Sequence, residues 1–301
     1  MRGFLSYVAG AAYGRIRAKT ISQFPNTRLR RIPGASPVDL DDLRKIEGID
    51  SQILNLDANE YLKLLEVIYP DWSEAFESPF YKKLIELSVS AKLLQIGSSD
   101  VYMDAAGGLY TYVGRVAARK KILQDRFVSP ALKARLSSDG VEFLESSADR
   151  IALPDGSVDK ISCHHSFEHF RGDADTGFIR EINRLLSRRG RACLVPLHLG
   201  KAYLEITDDF RMPKQDPISK RVYDPTSPLP GGRFSGRFAR IYDITAFQRR
   251  VLEAVRGTDL KATIFEIRMQ GQAAPDPTLP CHRTDPRIDF PYRAFVLERR
   301  N

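Results

Sequence analysis

Four of the five histidines in this chain fall at the ends of two consecutive apolar runs: His164, His165 and His169 in His164-His165-Ser166-Phe167-Glu168-His169, and His198 after the next run. Imidazole changes charge near neutral pH, so His165 or His169 could take a proton from a hydroxyl, with Glu168 orienting the ring. The same residues admit a second use. His165-x-x-Glu168-His169 has a helical spacing that gathers ligands, and His198 could complete a metal set. A histidine at its first position favours a soft ion or none, and no metal is assigned. In a third reading Glu168-His169 is a structural signature that caps the segment after it. Cys163, one residue before the run, reads as a buried strand residue and not a nucleophile.

The flanking sequence predicts how such residues are held. Apolar runs beginning at Val101-Tyr102-Met103 and over 121–124, 141–144, 160–164 and 192–196 read as strands. A helix is expected over 175–186, with Phe178, Ile182, Leu185 and Leu186 on one side. Alternating strands and helices imply a mostly parallel sheet covered on both faces, with ligands outside the carboxyl ends of the strands. Before this unit, residues 38–98 read as helical. Asp57 and Glu60 make a capping box, and Ser78-Pro79 opens a second helix with Phe80, Leu84, Leu87, Ala91 and Leu94 along it. After it, Pro213, Pro217, Pro225, Pro228, Pro230, Gly231 and Gly232 predict a long irregular excursion over 200–258, with a helix near 245–255. Residues 262–268 and 293–299 read as closing strands.

This succession resembles the class I S-adenosylmethionine (SAM)-dependent methyltransferases. The resemblance rests on Leu153-Pro154-Asp155-Gly156-Ser157-Val158-Asp159, the strand 161–164, then Ser166-Phe167-Glu168-His169-Phe170, over about residues 80–300. HHSFEHFRGDAD with FIREINRLL, PLHL after the fifth strand and GRFARIYDITAFQRRVL are similar to a bacterial subgroup of that family. The resemblance implies a Rossmann-like seven-stranded α/β sheet with helices on both faces, an N-terminal helical extension and an insertion before the last two strands. It implies SAM as cofactor, near Asp104, Ala106, Gly107 and Gly108 after the first strand. Asp125 stands where the family's acid bonds the ribose hydroxyls, Ser147 and Ala148 where a polar pair borders adenine, and His164 at the end of the fourth strand. Ala106 and Tyr110 replace two glycines usual in the family, and Ser147 replaces a frequent Asp. His165, Glu168 and His169 are the candidate catalytic residues on their own chemistry, and some family members carry a Glu-x-x-Glu-His version that binds a divalent ion.

Composition narrows the classes. No apolar run approaches the length of a membrane span. Seven of the eight excess positive charges lie in residues 1–38, which hold Arg2, Arg15, Arg17, Lys19, Arg28, Arg30 and Arg31 and no acid. The remaining chain is therefore nearly neutral, which argues against nucleic acid as partner. The basic arm, with apolar Phe4, Leu5, Tyr7 and Val8 ahead of its positive cluster, suits peripheral contact with an anionic membrane face or a frayed terminus. Three sparse cysteines, Cys163, Cys193 and Cys281, fit a reduced, cytoplasmic setting. The domains expected are a basic arm at 1–37, a helical segment at 38–98 and a SAM-binding domain at 99–301 with its insertion at 200–258. The expected reaction is methyl transfer to a hydroxyl of a small molecule or a glycan or glycolipid precursor. The rivals are RNA 2′-O-methylation with a metal-assisted site, and a non-catalytic SAM-binding protein. Arg233, Arg237 and Arg240 would either bind an acceptor's anion or tie the excursion to the body.

Overall fold

The computed structural model describes residues 35–57, 84–107, 110–209, 211–224, 238–270 and 291–300. Its frame is an eight-stranded sheet, in the spatial order β1-β10-β11-β6-β5-β2-β3-β4. The strands are β1 (Ile49–Asp57), β2 (Val101–Ala105), β3 (Lys120–Asp125), β4 (Val141–Glu145), β5 (Val158–His164), β6 (Leu186–Val195), β10 (Leu260–Gln270) and β11 (Arg293–Arg299). All pair in parallel except β11, which runs against both neighbours. Central β2 is buried along its whole length, which is why it reads as a continuous apolar run interrupted only by Asp104.

Helices cover both faces. On one lie α2 (Leu84–Leu94), α3 (Tyr110–Arg115) and α4 (Pro130–Ser138), packed with Tyr102, Leu123 and Cys193 in one apolar cluster. On the other lies α5 (Ala174–Leu185), which buries Phe178, Ile179, Ile182 and Leu185 against Met103, Ile122 and Ile161. That stripe recurs at i, i+3 or i+4, as an amphipathic helix on a sheet requires. Gly177 lets α5 come close to the loop after β4, because a Cβ there would sit 2.6 Å from that of Asp149.

Two expectations are corrected. Residues 38–98 are not helical throughout. Among the described residues only the short α1 (Leu40–Leu43) and α2 are helices, while 49–57 forms β1, an eighth strand parallel to β10. Asp57 is the last residue of that strand, and the helix expected after it, with Glu60 and Ser78 to Phe80, lies outside the described residues. The excursion is not irregular throughout either. It builds a second sheet, β8-β7-β9, from β7 (Leu204–Thr207), β8 (Lys220–Tyr223) and β9 (Phe238–Ile241). The expected helix over 245–255 is the single turn α6 (Ile244–Phe247), capped by the Asp243 side chain and continued by a wider π turn at Gln248–Leu252.

A buried ionic lock fixes the small sheet to the body. Asp175 at the start of α5 accepts from Arg240 Nη1 of β9 (2.6 Å), Tyr242 Oη (2.7 Å), and Arg250 Nε and Nη2 of the π turn (2.8 and 2.5 Å). Arg250 also donates to Asp216 Oδ2 (2.8 Å), which accepts from Tyr203 and Arg249 as well. Of the arginines expected to bind an anion or anchor the excursion, Arg240 anchors it. Arg233 and Arg237 lie outside the described residues.

Candidate functional site

Chain order reverses between β2 and β5. From β2 the chain steps outward to β3 and β4, then returns to place β5 on the other side of β2. A crevice opens at the carboxyl ends of strands at such a switch point. Ala106 (φ +50°) and His165 (φ +50°) lie at the ends of these two strands, both in the left-handed region that non-glycine residues seldom occupy. Each costs on the order of 1–3 kcal/mol, a cost that structures retain mainly where the surroundings force it. Ser166 Oγ donates towards both the Ala106 and His164 carbonyls, at 2.9 Å each, and ties the two strand ends together.

The β2 side is closely bonded. Asp104 Oδ1 accepts from Ser162 Oγ (2.7 Å) and meets His164 Nδ1 (3.0 Å), while His164 Nε2 meets Ser90 Oγ of α2 (2.8 Å). Both His164 ring nitrogens are therefore engaged inside the protein, which leaves neither for a further partner. Gly107 leaves no room for a side chain, since a Cβ would lie 2.5 Å from both Asp104 Oδ2 and Leu123 Cδ1. Gln124 of β3 accepts from the Ala106 amide at 3.1 Å and donates to the Ser146 carbonyl at 2.6 Å, so it spans the loops after β2 and β4. At the end of β3, Asp125 Oδ1 accepts from the Arg126 and Phe127 amides (2.6 and 3.3 Å). Burial raises the pKa of this carboxyl, and those two amides offset part of the rise. Ser147 pairs with Arg150 in a tight turn, with Ala148 buried between them. Gly108 lies outside the described residues.

The β5 side gathers the histidines differently. After β5 the chain makes one 3-10 turn, Phe167–His169, which turns Glu168 inward to 5% exposure. Three imidazole nitrogens surround Glu168 Oε1: His165 Nδ1 at 3.3 Å, His198 Nε2 at 3.6 Å and His169 Nε2 at 3.7 Å. A second buried carboxylate, Glu86 of α2, comes within 3.4 Å of His165 Nδ1 and is held by Tyr292 Oη at 2.6 Å. His169 Nδ1 lies 2.6 Å from the Phe238 carbonyl of β9. A carbonyl only accepts, so Nδ1 carries the proton and Nε2 presents its lone pair to the crevice. Burial lowers the His169 pKa, against the opposing pull of Glu168 and the Phe238 carbonyl. Burial works to raise that of Glu168, but His169, His165 and His198 together hold it well below the ordinary carboxylate range. Ligand atoms of His165, Glu168 and His198 all lie within 4.8 Å of one another, a geometry open to a metal ion.

The structure thus joins Asp104, Ala106, Gly107 and His164 in one bonded group and His165, Glu168, His169 and His198 in another, linked through Ser166. Sequence reasoning missed Glu86, Ser90 and Gln124. Glu86 and Ser90 stand four residues apart among the apolar positions of α2, and that spacing puts both on one face. Polar residues at that interval in an otherwise apolar helix were the signal available. Cys163 and Cys193 are free, buried strand residues, and burial raises both thiol pKa values. Among the described residues no helix is long and apolar enough to cross a membrane.

Residues 108–194 match the family of methyltransferase domains. No functionally curated protein matches in sequence. Among solved structures, the YcgJ protein of Bacillus subtilis is similar at 21% identity, covering 38% of this chain and 51% of that one, with a TM-score of 0.33. The chain thus spans about half the length of that protein. The 1,6-didemethyltoxoflavin-N1-methyltransferase of Burkholderia thailandensis is similar at 13% identity, over 92% of this chain and 99% of that one, with a TM-score of 0.44.

Proposed function

We propose that this chain, whose residues 108–194 form a class I SAM-dependent methyltransferase domain, transfers the methyl group of SAM to a hydroxyl of a small molecule or of a glycan or glycolipid precursor. The residues at the β2 end fit that donor. Ala106 has the left-handed backbone that glycine adopts most cheaply, at a position where the family usually has glycine. Gly107 packs so closely on Asp104 and Leu123 that any side chain would fill the cradle. Asp125 binds backbone amides through Oδ1, while Oδ2 makes no hydrogen bond among the described residues and suits two ribose hydroxyls.

When bound, SAM supplies a methyl carbon on a positively charged sulfur. The chain's own part is alignment, exclusion of water and disposal of one proton. The observation that carries the hydroxyl reading is His169. Its Nδ1–H is fixed on the Phe238 carbonyl and its Nε2 is bare beside Glu168, so Nε2 is the atom that receives the acceptor's proton. The lowered pKa keeps that ring neutral near pH 7, as a base must be. Glu168 then stabilises the imidazolium, and His165 borders the same space. Phe238 belongs to the small sheet, so the element that orients the base also walls the acceptor site.

Calorimetric titration with SAM and its demethylated product, S-adenosylhomocysteine, tests the reading. Asp125→Ala should weaken binding of both about 10- to 100-fold, as expected for loss of charge-assisted hydrogen bonds, with the thermal transition unchanged. Wild-type protein that binds neither at millimolar concentration would overturn the enzyme assignment. Normal affinity in Asp125→Ala would overturn the place given to Asp125.

A further inference from the structure

Glu168 is out of character for a buried carboxylate. The buried carboxylate of Asp175, by contrast, makes short charge-assisted bonds at 2.5–2.8 Å. Glu168 is 5% exposed, yet its Oε2 has no hydrogen-bond partner and its Oε1 meets three imidazole nitrogens only at 3.3–3.7 Å. Those spacings exceed the roughly 2.7–2.9 Å of a charge-assisted N–H···O bond. They approach the edge of a tetrahedron of ligands around one ion, which is about 3.3–3.4 Å for bonds of about 2.0–2.1 Å. Glu86, fully buried, adds a second negative charge beside His165, and its Oε2 also has no partner. Two buried carboxylates with orphaned oxygens, ringed by imidazoles, form a site built for a cation.

We infer that His165, Glu168 and His198 bind one divalent ion of the zinc type, with a coordination position left open for the acceptor. Two imidazoles and one carboxylate suit zinc and similar first-row ions and suit magnesium poorly. Three protein ligands are what a catalytic site of this kind offers. His169 stays outside the ligand set as the base, and Glu86 is a positioning residue that supports His165. The inference rests on the methyl-transfer reading for its consequence. An acceptor hydroxyl bound at the open position loses its proton to His169 Nε2 more readily. Its oxygen forms the new O–C bond as the S–C bond of the donor breaks, and that electron pair stays on sulfur.

The test is metal binding by the full chain without an affinity tag, stripped with chelator and dialysed against zinc. Elemental analysis should find one retained equivalent. Cobalt(II) in its place should give visible bands of a four- or five-coordinate ion. Glu168→Gln and His198→Asn should each lose the retained ion, and Glu86→Gln should weaken affinity about 10-fold or more. Asp125→Ala should retain it. Wild-type protein that holds no zinc and shows no such cobalt bands overturns the inference, as does full retention in Glu168→Gln. The methyl-transfer reading fails separately. Zinc held by a protein that binds neither SAM nor S-adenosylhomocysteine leaves the metal site standing, and cofactor binding without metal leaves the enzyme standing.

Discussion

The protein holds two buried polar clusters built from similar residues and finished in opposite ways. In the lock, both oxygens of Asp175 are occupied, accepting from Arg240, Tyr242, Arg250 and the Thr176 amide. In the histidine cluster, Glu86 and Glu168 each keep an oxygen without a partner. A buried charge is tolerable when its bonds are made and expensive when they are not. The carboxylate of the first cluster is thus fully bonded, whereas those of the second keep an oxygen open. The two meet at β9, where Arg240 enters the lock and the Phe238 carbonyl two residues earlier holds His169.

That difference can be broken at either end. The largest effect belongs to Asp175→Asn, which strands Arg240 and Arg250 in the interior. Breaking a buried pair by removing one partner costs about 3–5 kcal/mol, to be read from urea unfolding. A loss below about 1 kcal/mol would show that the lock does not carry the small sheet. Glu168→Gln should cost far less. It removes a carboxylate that three imidazoles hold ionised only through long contacts, so stability should fall by less than about 1 kcal/mol while methyl transfer is lost. A loss as large as that of Asp175→Asn would erase the distinction between the clusters. The smallest effect concerns acid. Burial raises the Asp216 carboxyl, but Arg249, the Ile218 amide and Tyr203 bring it down to about 2. Its folded pKa thus lies below the ordinary 3.8. Its contribution is complete above that value and is lost as pH falls towards about 2. The stability gap between wild type and Asp216→Asn should accordingly close over that window, and a gap constant with pH would remove Asp216 from the ionic part of the lock.

The two halves of the crevice were unequally legible in the sequence. Strands β2 to β6 were readable because parallel core strands must be apolar on both faces, and the turn at 154–157 marked where β5 begins. The strands at 262–268 and 293–299 were visible as short apolar runs, although β11 is antiparallel to both neighbours. β1 was not. Its sequence, IDSQILNLD, sets exposed Gln52 and Asn55 among Ile49, Leu54 and Leu56 in no strict alternation. The strands of the small sheet are four residues each, too short for a period to show, and their identity comes from pairing across 35 or so positions of chain. In the site, the residue types of the His-Glu run were plain. The convergence of Glu86 from α2 and Tyr292 from the approach to β11 depends on tertiary packing that no local pattern carries. Ala106 teaches the converse. Its letter departs from the motif, yet its backbone, at φ +50°, lies in the region glycine occupies most readily.

The place of β1 in the sheet has a consequence for synthesis. Its register runs from Ile49 against Ala262 to Asp57 against Gln270, so among the described residues its partner in the sheet is made some two hundred residues later. Throughout that interval a nine-residue strand has left the ribosome with no edge to join. Unpaired strands of this kind are hazards of early folding intermediates, and pairing over such a span is slow. Of the strands made early, β1 thus waits longest for its pair. A chaperone that shields β1 during translation would act on a strand whose pairing with β10 cannot begin until some two hundred further residues have been made.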